Sequence, residues 1–180
     1  MKKAIKMILI ILATIVVLIS CAVVWFYTLA NSLSKEHKPA EVIIGSGEKS
    51  ALVIYEPSML STTKDISMTI AEALAEEGFT VTLNLPSPQL DYKLADYDFI
   101  AFGSPVYAGR ISSALKSYVE KNPVENKHIL VYVTGGLVDD TKELEEMVSW
   151  VNPNNTVRSI KVNKGGMERL SEFVKEGLAQ

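Results

Sequence analysis

Two short segments of this chain carry residue types that could do chemistry. The first is Tyr55-Glu-Pro-Ser-Met-Leu-Ser-Thr-Thr63, which puts Ser58, Ser61, Thr62 and Thr63 directly before a helical pattern. A helix N-terminus presents free backbone N–H groups and a partial positive charge, a ready phosphate site. Thr62 or Thr63 alone would serve as an ordinary N-cap, but four hydroxyls in six positions are more than a cap requires. The Walker pattern is absent, which argues against nucleoside triphosphate hydrolysis. The second segment, Tyr97-Asp-Phe-Ile-Ala-Phe-Gly-Ser-Pro-Val-Tyr-Ala-Gly109, runs an apolar strand into a loop. Gly103 and Gly109 allow close backbone approach, Pro105 stiffens the turn, and Tyr107 offers a stacking face. The pair of segments predicts a ligand that combines a phosphate with a planar ring.

Other chemistries find little support. His37 lies in a polar connector and His128 opens a strand, so no Cys/His cluster suggests zinc. Cys21 is the single cysteine, which forbids an intrachain disulfide. No Ser-His-Asp arrangement is legible. Arg110 reads as a solvated charge, Asp139 and Asp140 as helix-start acids, and Tyr132 and Trp150 as core. Residues 50–180 hold 12 Lys/Arg against 18 Asp/Glu, a formal charge of −6 that disfavours nucleic acid. An acidic surface permits docking to a basic redox partner.

The elements that must position the two segments alternate regularly. Ala51–Tyr55 reads as a buried strand, and residues 63–77 as a helix with Ile66, Ile70 and Leu74 on one face and Gly78 at its end. Residues 79–85 alternate apolar and polar, as a half-exposed strand does. Residues 99–102 form a third strand. Ile111, Ala114, Leu115, Tyr118 and Val119 form a helical stripe. Residues 128–133 form a fourth strand with a continuous apolar run. A helix carries Leu144, Met147, Val148 and Val151. Residues 157–162 form a fifth strand, and a last helix carries Met167, Leu170, Phe173 and Val174. Five strands alternating with helices predict an α/β fold with a doubly wound parallel sheet. In such sheets ligands bind beyond the carboxyl ends of the strands.

The amino-terminal part has a different composition. After the basic residues 1–6, residues 7–30 contain no charge. As a helix they would span roughly 36 Å, more than the ~30 Å hydrocarbon core. Trp25, Phe26 and Tyr27 stand where an interfacial aromatic belt belongs. The expectation is one transmembrane helix that anchors the chain to the bilayer. A cleaved signal peptide competes with it, but the apolar run is too long for a signal h-region. Leu18-Ile-Ser-Cys21 also matches a lipobox, although the apolar run continues past it. Residues 31–50 read as a connector in which Gly45-Ser-Gly47 suggests flexibility. Within it, Val42-Ile-Ile44 is either a small extra strand or a membrane-proximal contact. Lys2, Lys3 and Lys6 favour the N-terminus inside and the domain, residues 51–180, outside.

The hydroxyl-rich first loop, Tyr97-Asp98 and Gly103-Ser-Pro-Val-Tyr-Ala-Gly109 together resemble the flavodoxin family over residues 51–180. The resemblance implies a five-stranded sheet in the order 2-1-3-4-5 with FMN at its carboxyl edge and electron transfer through the flavin. It implies that Ser58, Ser61, Thr62 and Thr63 hold the FMN phosphate. It implies that Ser104, Pro105, Val106, Tyr107, Ala108 and Gly109 flank the ring system, with Tyr107 stacking, and that Thr134, Gly135 and Gly136 touch its other edge. Flavodoxin-like domains are usually cytoplasmic, which opposes the orientation drawn from the charges. Redox proteins or a quinone are the implied partners, and a small acceptor the implied substrate. The Tyr97-Asp98 and Tyr107-Ala-Gly109 spacing also resembles flavodoxin-like protoporphyrinogen dehydrogenases, although no long insertion for a bulky substrate is present. The first loop departs from the family pattern Ser/Thr-x-Thr-Gly-x-Thr. It has no glycine, carries Met59 and Leu60 at positions usually small or polar, and is one residue longer. The alternative is therefore a degenerate flavodoxin fold that serves as an interaction module without flavin.

Overall fold

The computed structural model describes residues 2–32 and 37–178, in two compact units that divide after Ser32. The first unit is helix α1, Lys2–Ser32. Its Lys3–Thr28 stretch is long and apolar enough to cross a membrane, and its apolar side chains are exposed rather than packed. Along it the hydroxyls of Thr14, Ser20 and Thr28 donate to the carbonyls of Ile10, Val16 and Trp25 at 2.9, 2.8 and 2.7 Å. Such back-bonding leaves these groups satisfied without water.

The second unit is a mixed α/β layer structure. Its elements in chain order are β1 (Val42–Ile44), β2 (Lys49–Tyr55), α2 (Thr62–Glu76), β3 (Phe79–Asn84), β4 (Phe99–Pro105) and α3 (Ser113–Lys121). They continue with β5 (His128–Thr134), α4 (Lys142–Val148), β6 (Thr156–Val162) and α5 (Met167–Leu178). The sheet order is β1-β3-β2-β4-β5-β6. The last five strands are mutually parallel and give the predicted order 2-1-3-4-5.

The sheet has six strands, not five. Val42–Ile44 pairs antiparallel with β3, Val42 opposite Leu83 and Ile44 opposite Val81. β3 would otherwise present an unpaired edge, and a three-residue apolar run satisfies it. Gly45 and Gly47 serve close packing here: a Cβ on Gly47 would lie 1.8 Å from the Gly78 carbonyl oxygen. Between β3 and β4 the crossover carries no α-helix, only a 3-10 turn at Leu94–Asp96.

Strand alternation sorts the core into two layers. Ala51, Val53, Phe99, Ala101, Leu130 and Tyr132 face α2 and α5, meeting Ile66, Ile70, Leu74, Leu170 and Val174. Leu52, Ile54, Ile100, Phe102, Val131 and Val133 face α3 and α4, meeting Leu115, Val119, Leu144 and Met147. The chain winds to one side of β2 and then to the other, so the direction switches between β2 and β4. The carboxyl ends of these two strands lie side by side there, Tyr55 opposite Gly103.

Candidate functional site

Three loops meet at the carboxyl edge beside this switch: residues 56–61 above β2, 106–112 above β4 and 135–141 above β5. The first turns into α2 through Ser61, which adopts a left-handed conformation at φ 59°. The Ser58 hydroxyl oxygen accepts the N–H of Thr63 at 3.0 Å, and the Ser58 carbonyl accepts the N–H of Ser61 at 3.2 Å. Ser58 is thus the residue that caps the helix, three positions ahead of its formal cap. The N–H groups of Leu60 and Thr62 have no acceptor among the described residues. Free N–H groups, the α2 dipole and nearby hydroxyls form a donor set suited to a phosphate monoester.

The hydroxyls do not all serve one surface. Thr63 is fully buried, and its Oγ1 lies 2.7 Å from that of Thr134, also buried. Behind them the Ser67 hydroxyl donates to the Thr63 carbonyl at 2.6 Å and lies 2.6 Å from the Tyr132 hydroxyl. This chain ties the N-terminus of α2 to the end of β5 and fixes the height of the first loop. Thr63 and Thr134 therefore act below the loop, while Ser58, Ser61 and Thr62 remain half-buried or exposed.

The second loop is a two-residue hairpin. Tyr107 and Arg110 exchange N–H···O bonds of 2.9 and 3.0 Å around Ala108 at φ 52° and Gly109 at φ 71°. Two successive positive φ values define the turn that matches strand twist, and glycine is at ease there while alanine is strained. The turn aims Tyr107 back over the first loop, where its hydroxyl accepts the Met59 N–H at 2.7 Å. Ser104 points the other way. Fully buried, it accepts the Ser112 N–H at 2.9 Å and donates to the Pro105 carbonyl at 3.0 Å. Pro105 is the last paired residue of β4, opposite Thr134, and the Val106 N–H reaches the Thr134 carbonyl at 2.8 Å. Gly103 makes room for protein, not ligand: a Cβ there would lie 2.1 Å from the Tyr132 ring.

In the third loop Gly135 donates to the Val162 carbonyl at 3.2 Å, and Gly136 is exposed. Lys161 holds the far end of the loop. Its buried ammonium pairs with Glu143 at 2.9 Å and donates to the Asp140 carbonyl.

Glu56 was not among the sequence candidates. It is buried at 1% exposure, and its carboxylate accepts the Ser112 hydroxyl at 2.8 Å and meets His37 Nε2 at 2.7 Å. Burial pushes its carboxyl above the ordinary value, against the lowering effect of the bonds to His37 and Ser112. His37 begins a strap, residues 37–41, that leads into β1 and is sewn down again at Asn84, whose side-chain oxygen accepts the Ala40 N–H at 2.7 Å. The Asn84 amide donates to Tyr92 at 2.8 Å, and the Tyr92 hydroxyl donates to Glu41. Burial and the neighbouring Glu41 carboxylate push the Tyr92 hydroxyl up to about 12. Nothing local marks Glu56, since its partners lie 19 and 56 positions away. The one signal was a carboxylate directly after a fully apolar strand.

Known proteins share this fold. The flavodoxin of Streptococcus pneumonia TIGR4 aligns with a TM-score of 0.54 at 16% identity, over 72% of this chain and 98% of that one. Flavodoxin 2 of Bacillus cereus gives 0.53 at 19%, over 72% and 98%. A flavo di-iron protein of Thermotoga maritima gives 0.57 at 16%, over 75% of this chain and 36% of that one. At these identities the likeness concerns the fold. An uncharacterized protein of Methanocaldococcus jannaschii is 28% identical over 86 residues, and the match spans 48% of this chain and 54% of that protein. The chain thus matches about half the length of this curated relative. The sequence profile of the flavodoxin domain matches residues 52–175, and the chain belongs to that family.

Proposed function

We propose that this protein is a membrane-tethered flavodoxin that binds FMN non-covalently and passes electrons to or from a partner at a bilayer. The observation that carries the reading is the meeting of the α2 N-terminus and the Tyr107 turn at the switch between β2 and β4. Backbone N–H groups of Leu60 and Thr62, with the Ser58, Ser61 and Thr62 hydroxyls, would hold the phosphate. Tyr107, Ala108 and Gly109 would lie along one side of the ring system and Gly135 and Gly136 along the other. FMN, when bound, supplies one- and two-electron chemistry that no side chain here provides. The protein's own part is to bind, orient and partly shield. Glu56, in the first loop, is buried and tied to His37 and Ser112 rather than open to a substrate. α1 supplies the tether, which raises the effective concentration of membrane partners such as a quinone or a membrane redox protein.

A second reading, an interaction module without flavin, draws on the Tyr107 hydroxyl at Met59, which occupies a third backbone N–H of the same loop. Purifying the full chain in detergent separates the two. Yellow protein with a flavin spectrum, or colourless protein that takes up FMN stoichiometrically, supports the first reading. Colourless protein that cannot be reconstituted overturns it in favour of the second.

A further inference from the structure

Outside α1, the exposed large hydrophobic side chains among the described residues are Val42, Ile43, Met59, Leu60, Leu137 and Val138. Four of them sit in loops at the carboxyl edge of the sheet, and Val42 and Ile43 lie in the outermost strand, β1, beside that edge. Met59 and Leu60 are in the loop above β2, and Leu137 and Val138 in the loop above β5. Val42 pairs with Leu83 and Ile43 with Thr82, within two residues of the carboxyl end of β3. Leu60 is 86% exposed and Leu137 76%, close to what a free chain would show. From β1 to β5 is four strand spacings, so this fringe is about 19 Å wide. Isolated surface leucines are ordinary, but a set confined to one edge marks an interaction surface.

The chain enters the second unit at this same edge. His37, five positions after the last residue of α1, is held at Glu56, at the foot of the loop that bears Met59 and Leu60. The strap then runs past Asn84 into β1. The charges also differ between the edges. Loops at the amino edge carry Glu48, Glu77, Asp98 and Glu125 against Lys127. Exposed charges in the loops at the carboxyl edge balance, Lys38, Arg110 and Lys164 against Glu41, Asp139 and Asp140. An anionic lipid surface repels the first edge more than the second.

We infer that the carboxyl edge docks on the lipid surface, with Leu60 and Leu137 inserted among the headgroups. Apolar side chains on loop tips gain free energy by leaving water for the headgroup–acyl boundary. The inference rests on the tethering part of the proposed function, because the tether turns a weak contact into an intramolecular one. It also names the partner class of the site. An acceptor that reaches Tyr107 from this side arrives through the bilayer, so it is lipid-soluble.

The test uses the full chain in nanodiscs containing anionic lipid. Single cysteines are introduced as Leu60→Cys, Leu137→Cys and, on the opposite edge, Glu77→Cys, each in a Cys21→Ser background. Each is labelled with an environment-sensitive fluorophore. The unsubstituted chain labelled at Cys21 reports insertion of α1. Nitroxide-bearing lipids are then added to the disc, and flavin absorbance is read on the same samples. The expected result is quenching at positions 60 and 137 and none at 77, with or without FMN. Quenching at Cys21 but not at 60 and 137 overturns the docking and leaves the tether standing. Equal quenching at 60 and 77 overturns the edge preference. Quenching at 60 that FMN abolishes overturns the inference too, since the fringe then covers the cofactor. No quenching at Cys21 overturns the tether and the docking together. Flavin absorbance decides the FMN part separately in every case.

Discussion

The Tyr107 hydroxyl accepts the backbone N–H of Met59 at 2.7 Å and so joins the turn above β4 to the hydroxyl-rich loop above β2. Ring and hydroxyl of this one side chain have opposite consequences for a phosphate-bearing flavin. The ring offers a stacking face; the hydroxyl holds an N–H the phosphate could use. Tyr107→Phe keeps the ring and frees the N–H, so FMN affinity should hold or rise, by up to about 5-fold for one hydrogen bond of about 1 kcal/mol. Tyr107→Ala removes both and should weaken binding about 10-fold or shift the redox potential. Fluorescence titration with FMN reads both variants. Wild-type affinity and potential in Tyr107→Ala would remove this residue from the site.

Ala108 sits at φ 52° in a turn whose other central residue is glycine. A side chain in that region costs about 1–2 kcal/mol. Ala108→Gly should therefore raise the unfolding free energy by up to about 1 kcal/mol after glycine's extra unfolded-state entropy, read as a higher urea midpoint. Ala108→Val, β-branched, should lower it. A lower midpoint for Ala108→Gly would mean the turn carries no strain.

Glu56 predicts a pH dependence. Burial raises its carboxyl above the ordinary 4.5, so the folded state keeps the proton to higher pH than the unfolded state does. Stability present in full below 4.5 is then lost as pH rises through the raised value. Glu56→Gln should flatten that fall, seen as urea midpoints measured from about pH 4 to about pH 7. Glu56→Ala leaves His37 and Ser112 without this partner and should cost about 1–3 kcal/mol. An unchanged pH slope in Glu56→Gln would assign the slope to another group.

Gly103 and Tyr132 form a tightly coupled pair. An added Cβ at Gly103 meets the Tyr132 ring at 2.1 Å. Gly103→Ala should lower stability by about 1–3 kcal/mol, as overpacking does. In a Tyr132→Ala background the same change should cost little, because the ring is gone. Four urea curves form the double-mutant cycle, and strict additivity would show that the two residues do not share this space.

Much of this follows from short-range pattern. The helix faces at Ile66, Ile70 and Leu74 and at Leu115 and Val119, and the apolar runs of β2 and β5, were legible because a face is set by local periodicity. That the two loops lie at one sheet edge was legible because strand ends, turn residues and a helix start are neighbours in sequence. The inward turn of Ser104 was not. Its type and position suit a ligand contact, yet its hydroxyl serves the start of α3, a choice made by where Ser112 comes to rest.

By itself, then, the sequence determined the alternation of parallel strands and helices, the apolar N-terminal helix, and the edge at which the hydroxyl and tyrosine loops lie. These depend on side-chain period and on residues a few positions apart. Only the tertiary structure decided that Val42–Ile44 becomes a sixth strand, since three apolar residues name no partner until an open edge lies beside them. It alone decided that Glu56 is buried against His37 and Ser112, that Thr63 and Thr134 lock together under the loop, and that Lys161 pins the third loop through the Asp140 carbonyl while paired with Glu143. A buried polar group must find a partner, and which partner it finds is settled by packing between distant parts of the chain.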